Sequence, residues 1–270
     1  MSNQFVSLQE AIATHVKPGQ SLALEGFTHL IPFAAGHEII RQKITDLTLI
    51  RMTPDLIYDQ MIGMGCARKV VFSWGGNPGV GSLHRFREAY EQGYPCPVEI
   101  EEYSHAAIAN AYKAGASGLP FAMLRGFTGT DLARLNPDTI RWVTCPFTGE
   151  QLAAIRAINP DVTIIHAQQA DREGNVRLWG IVGVQKEALM AAKCAIVTVE
   201  EVVDKLDASV NDCILPHWLI HKIAVVPQGA RPSYAMGYYK RNNDFYLRWD
   251  DISRDRASFQ EWMQKNVLQR

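Results

Sequence analysis

Short apolar, β-rich runs alternate along the chain with segments whose apolar positions recur at helical spacing. That rhythm is the signature of βα units building a mostly parallel sheet, so the expected fold class is α/β, an open sheet with helices on both faces. Leu8 to about Val16 reads as a helix, with Ser7 as N-cap and Glu10 in the capping-box position; Lys17-Pro-Gly-Gln20 ends it. Ser21 to Leu24 reads as a buried strand, and Pro32 suits the start of a helix whose apolar face carries Ala34, Ala35, Ile39 and Ile40. Further strands are predicted over Leu47–Met52, Lys69–Trp74, Val98–Tyr103, Val162–His166 and Ala195–Val199. Helices are predicted over Asp59–Gly65, Ser82–Glu91, His105–Ala114, about Val184–Lys193, and from Asp255 onward, where Phe259, Trp262 and Met263 share a face. Gly115–Gly149 reads as a loop-rich excursion over a site. No linker or internal repeat divides the chain, so residues 1–270 are expected to form one domain.

Composition narrows the function. A chain of 270 residues, 47% hydrophobic and 20% charged, is an ordinary globular protein. Its net charge of −1, with signs interspersed, argues against a nucleic-acid or membrane partner. The N-terminal residues lack a basic and an apolar signal region, and no apolar run approaches a membrane span, so a cytoplasmic location is expected. Five cysteines without a C-x-x-C pair read as reduced thiols, most of them core residues, rather than as disulfides or a structural zinc site.

The chemistry gathers at two strand-to-glycine turns, Leu22-Ala-Leu-Glu-Gly-Phe-Thr-His-Leu-Ile-Pro32 and Val70-Val-Phe-Ser-Trp-Gly-Gly-Asn-Pro-Gly-Val-Gly81. Such turns present N–H groups to a phosphate or a developing oxyanion. The second lacks G-x-G-x-x-G and a phosphate-loop lysine, which weakens a nucleotide reading; no G-x-S-x-G supports a serine hydrolase. The eight histidines form no metal-ligand pattern, so no metal is expected. His29, directly after the first turn, reads as a loop-ordering residue ahead of a chemical one. Glu25 stands where a parallel strand ends, the usual place of an α/β ligand site, although a residue that only orients the turn would look the same. Glu99 and Glu101 share a strand face while Glu102 points the other way; Glu102 reads either as a capping charge for the helix after Ser104 or as a functional group. No nucleophile and base are evident together, so these turns read as half of an active site.

These stretches resemble the A subunits of the class I coenzyme A transferases, in the 3-oxoadipate and glutaconate branch. The resemblance runs over nearly the whole chain, through Leu24-Glu-Gly-Phe-Thr-His-Leu-Ile-Pro32, Phe72-Ser-Trp-Gly-Gly-Asn-Pro-Gly-Val-Gly-Ser82, Glu101-Glu-Tyr-Ser-His105 and, most specifically, His166-Ala-Gln-Gln-Ala-Asp-Arg-Glu-Gly-Asn-Val-Arg-Leu-Trp-Gly180. It implies an active site shared with a B subunit that carries the catalytic glutamate, no cofactor beyond the CoA thioester substrate, and transfer from succinyl-CoA to a dicarboxylic oxo acid such as 3-oxoadipate, in aromatic-compound degradation. Gly26 and Phe27 become the oxyanion donors. Glu25, Thr28, His29, Ser73, Gly75, Gly76, Asn77 and Ser104 become the substrate and CoA contacts. Arg125, Arg141 and Arg231 are open candidates for a carboxylate or phosphate. A related branch hydrolyses ring-containing CoA esters with a glutamate of its A subunit, for which Glu102 is the candidate base. A purely structural or CoA-recognition subunit is the remaining alternative.

Overall fold

In the computed structural model, which describes residues 4–269, the first strand lies in the middle of a sheet that later strands extend in both directions. Helix α1 (Leu8–His15) is capped by Ser7, whose Oγ accepts from the Glu10 N–H at 3.1 Å. It leads into β1 (Ser21–Glu25), and then α2 (Phe33–Arg41), β2 (Leu47–Ile50), α3 (Leu56–Gly63), β3 (Ala67–Phe72), α4 (His84–Gln92) and β4 (Glu99–Glu102) step to one edge. Helix α5 (His105–Ala116), capped by Ser104, begins the return. After β5 (Phe121–Leu124), α6 (Leu132–Leu135), β6 (Ile140–Thr144) and β7 (Gln151–Arg156), the long strand β8 (Val162–Asp171) comes back beside β1. The order closes with β9 (Val176–Leu178), α7 (Gln185–Ala191), β10 (Cys194–Val203), β11 (Cys213–Leu215), β12 (Lys222–Val225), α8 (Asn243–Arg254) and α9 (Arg256–Met263).

Strands β4-β3-β2-β1-β8-β10-β12 run parallel, and β9 with β11 adds an antiparallel flap to the far half of β8. The order reverses between β1 and β8. Beyond the carboxyl ends of strands at such a switch point the flanking connections diverge and open a crevice. The residues following β1 therefore sit where a ligand site is expected.

Alternation along β1 shows how both faces are covered. Leu22 and Leu24 join a core with Ile12 of α1, Ile39 of α2, Ile57 of α3, Trp249 of α8 and Phe259 of α9. Ala23 points into the opposite core, with Ile108 and Tyr112 of α5 and Ala188 of α7. An open, mostly parallel sheet with helices on both faces is thus what the chain forms.

Two expectations need correction. The segment expected to be a loop-rich excursion holds β5, α6 and β6, which join β7 in a three-stranded antiparallel sheet in the order β5-β7-β6. Its inner residues Ile140, Ala153 and Ile155 pack on α5. Helix α8, before Asp255, has no counterpart among the predicted helices. Its charged surface hides a buried stripe of Tyr246, Trp249 and Ser253, and Asp255 is the cap of α9 behind it. Of the five cysteines, all free, only Cys66 is buried; the others are half-buried.

Candidate active site

The turn after β1 is a tightly constrained stretch of backbone. Thr28 and Leu30 both hold positive φ, 59° and 52°, which is strained for side chains of this kind and of order 1–3 kcal/mol each. Surrounding contacts enforce it. Ser233 Oγ donates to the Thr28 carbonyl at 2.7 Å, and the Leu30 N–H donates to the Tyr234 carbonyl at 2.9 Å. At Gly26 a Cβ would lie 2.7 Å from the Leu30 oxygen and 2.9 Å from the His29 oxygen, so the chain folds back on a residue that must lack a side chain.

Beneath the turn lies a buried charged network. The Glu25 carboxylate accepts from the Met52 N–H at 3.0 Å and from the Tyr112 hydroxyl at 3.0 Å. Burial pushes this carboxyl up to about 7, against the pull of Arg51 and of the N–H groups of Met52 and Gly26. Arg51 is fully buried; it pairs with Asp55 at 2.9 Å and donates from Nη2 to the Gly26 carbonyl at 2.8 Å. Neither the Phe27 nor the Thr28 N–H has a backbone or side-chain acceptor among the described residues.

Phe27, Thr28, Arg51, Thr53, Asp55, Trp74, Pro78 and His105 line a cleft of about 140 Å³ at this point. The rings of Phe27 and His105 face each other edge-on across it, with centroids 6.5 Å apart. By itself it is smaller than the several hundred Å³ that a drug-sized ligand fills. Its lining carboxylate, Asp55, is already neutralised by Arg51. Among the described residues no cluster of histidine, cysteine and carboxylate side chains is suited to a metal.

Several expected contacts take other roles. His29 is completely buried: Nδ1 meets the Ile181 carbonyl at 3.0 Å, and Nε2 meets the Met236 N–H at 2.9 Å. A carbonyl only accepts and an N–H only donates, so the ring is the neutral Nδ1–H tautomer and orders the loops around the turn. Glu25 is a buried anchor rather than a substrate contact. Ser73 Oγ donates to the Met52 carbonyl at 2.6 Å. The Gly76 N–H donates to the Pro54 carbonyl, and Asn77 Nδ2 to the Tyr246 carbonyl at 2.7 Å, pinning the second glycine turn to α8. Gly75 faces a separate hollow with Phe72 and Phe86. Ser104 Oγ is taken by the Ala107 N–H as a helix cap. From these two stretches the cleft receives Trp74, Pro78 and His105 instead. Glu102 is exposed at the end of the edge strand β4 and does not line the cleft; nor do Arg125, Arg141 and Arg231.

The family model described as Coenzyme A transferase matches residues 5–225. The chain belongs to the coenzyme A transferase family. It is 61% identical over 264 residues to the A subunit of 3-oxoadipate CoA-transferase from Pseudomonas knackmussii, across 98% of this chain and 93% of that one. It is 33% identical to the A subunit of glutaconate CoA-transferase from Acidaminococcus fermentans, across 97% and 88%. The crystal structure of glutaconate coenzyme A-transferase from Acidaminococcus fermentans superposes with a TM-score of 0.91 at 30% identity, covering 99% of this chain and 90% of that one. The resemblance seen in the glycine turns is therefore correct at the level of the family.

What sequence reasoning missed in this coenzyme A transferase chain is the support of the turn: Arg51, Asp55, Tyr112, Ser233 and Tyr234. Arg51 carries a signal. It is a charged residue directly after an apolar strand, the same position that singles out Glu25, but the strand predicted over Leu47–Met52 runs through it.

Proposed function

We propose that this chain is the A subunit of a transferase that moves CoA from succinyl-CoA to 3-oxoadipate, and that a B subunit completes the site with a nucleophilic glutamate. The observation that carries the reading is the 61% identity, over 98% of the chain, to a protein of that name. The cleft is consistent with it: Phe27 and Thr28, whose N–H groups have no acceptor among the described residues, line a hollow whose lining acid is already paired.

The partner's carboxylate attacks the thioester carbonyl of succinyl-CoA, forming a mixed anhydride and releasing CoA thiolate. The thiolate then attacks the glutamyl carbonyl of the anhydride, giving an enzyme thioester and free succinate. The acceptor's carboxylate repeats the two steps in reverse, leaving its acyl group on CoA and the glutamate free. Each attack places negative charge on a former carbonyl oxygen. A preorganised N–H at Phe27 would meet that charge, a contact worth on the order of 3 kcal/mol in the barrier. A carboxylate is a weak nucleophile toward a thioester, so binding of the remote CoA moiety must supply part of the activation.

The test is a CoA-transfer assay with the chain alone and with its B subunit, offering succinyl-CoA together with 3-oxoadipate, glutaconate, acetoacetate or no acceptor. Transfer to 3-oxoadipate in the two-chain complex, absent from either chain alone, is expected. Preference for another acceptor would change the substrate, and CoA release without acceptor would make the enzyme a hydrolase.

A further inference from the structure

We propose that Arg51 is the positioning residue of this site: by gripping the Gly26 carbonyl from inside the protein, it fixes the Phe27 N–H toward an acceptor that the chain itself does not provide. The inference rests on the transferase reading above. It names a residue through which that reaction's oxyanion contact is held.

One peptide unit carries the geometry. The Gly26 carbonyl and the Phe27 N–H belong to the same plane, and the bond between these residues is not among the cis peptides of the chain. In a trans peptide the C=O and N–H vectors point in opposite directions and cannot turn independently. Arg51 Nη2 stands 2.8 Å from the Gly26 oxygen. Holding that oxygen therefore sets the direction of the N–H on the far side of the plane.

Arg51 is itself unable to drift. Its side chain is fully buried, Nη1 is 2.9 Å from Asp55 Oδ1, and the guanidinium lies 5.6 Å from the centre of the Tyr58 ring. The planar fork engages a carboxylate and a carbonyl together, which a lysine ammonium on a flexible stem does not reproduce. A cation on the carbonyl also polarises the peptide and makes its N–H a stronger donor in a low-dielectric setting. Two further observations separate this from an ordinary buried arginine–carbonyl contact. The N–H on that same peptide, that of Phe27, has no acceptor among the described residues. Arg51 and Phe27 also line the same cleft.

The experiment is a double-mutant cycle in the complete two-subunit enzyme, using Arg51→Lys and Phe27→Pro, because proline deletes the N–H itself. Arg51→Lys is expected to lower kcat by roughly 10- to 100-fold while the KM for succinyl-CoA stays within about threefold. On the Phe27→Pro background the same change should cost less than about threefold more, since its target is gone. A positioning role is overturned by an unchanged kcat, by a loss confined to KM, or by losses that multiply across the cycle. A merely structural arginine would give that last pattern. If Arg51→Lys does not assemble with its partner, the charge-balanced pair Arg51→Gln with Asp55→Asn takes its place under the same criteria. A wild-type complex without transfer activity would remove the transferase reading and this inference together, whereas an active wild type with an undiminished variant removes this inference alone.

Discussion

The Tyr112 hydroxyl, on a helix that begins beyond the edge strand, donates a 3.0 Å hydrogen bond to the Glu25 carboxylate at the end of the central strand β1. The contact joins α5 to the root of the turn after β1. With the Met52 N–H on the same carboxylate oxygen, it ties α5 and the segment after β2 to one buried acid at the end of β1. Glu25 is therefore a latch under the turn, and its environment gives it a measurable titration.

The first prediction follows from that burial. Glu25 is pushed from 4.5 to about 7, so between these values the folded chain holds a proton that the unfolded chain has released. Stability then falls as pH rises through that window and levels off above about 7, a difference on the order of 3 kcal/mol. Asp59, which burial raises to about 6, adds a slope of the same sign. Glu25→Gln should keep the Asp59 part and lose the rest. Urea unfolding at fixed protein concentration, from about pH 4.5 to about pH 8, reads the difference; parallel profiles for the two proteins would show that folding does not raise the Glu25 carboxyl.

His29 carries the opposite sign. Burial holds its imidazole below the ordinary value of 6.5, and its hydrogen bonds to Ile181 and Met236 use the neutral tautomer. Its contribution is full above pH 6.5 and is lost as pH falls through the lowered folded value. His29→Ala should destabilise the chain by on the order of 3 kcal/mol, through two orphaned backbone groups, and should flatten the acid side of the profile. Unchanged unfolding midpoints would contradict the loop-ordering role.

Gly26 tests the turn directly. The atoms nearest an added Cβ are backbone atoms of His29, Leu30 and Ile31, which cannot swing aside as a side-chain tip can. Gly26→Val should lower kcat by about 100-fold or more while the complex with the B subunit stays assembled. Size-exclusion chromatography of the variant complex separates this from a failure to assemble. Full turnover in an intact complex would take the turn out of the chemistry.

Local rules made much of this legible. Ser7 and Ser104 announce helix starts because a hydroxyl before a run of N–H groups has one dominant use, and both side chains cap as expected. The turn at Gly26 could be found because strand ends in a parallel sheet are where backbone becomes available. The clamp on that turn was hidden for the opposite reason: Ser233 reaches Thr28 across 205 positions of sequence, a tertiary contact with no local pattern. The β5-β7-β6 sheet escaped notice because Phe121–Leu124 and Gln151–Arg156 lean on alanine, leucine and methionine rather than on β-branched residues. Asn77 and Ser73 lie in a stretch that family resemblance marks as functional, yet their polar atoms serve neighbouring backbone.

Glu102 supplies the last prediction. It ends β4, whose sheet partner is β3 alone, and the side chain is exposed and outside the cleft lining; its backbone oxygen accepts from Asn136 Nδ2 at 3.0 Å. A general base must come within hydrogen-bond reach of the proton it removes, and Phe27, Thr28 and His105 present that cleft without it. Glu102→Gln should leave kcat/KM for transfer within about twofold of wild type and should not alter CoA release in the absence of acceptor. A loss of about tenfold or more, with the complex intact, would bring Glu102 into the chemistry and favour hydrolysis over transfer. Running the acceptor-free reaction beside the transfer assay distinguishes the two, because a hydrolase releases CoA to water while a transferase needs a second carboxylate to clear the enzyme thioester.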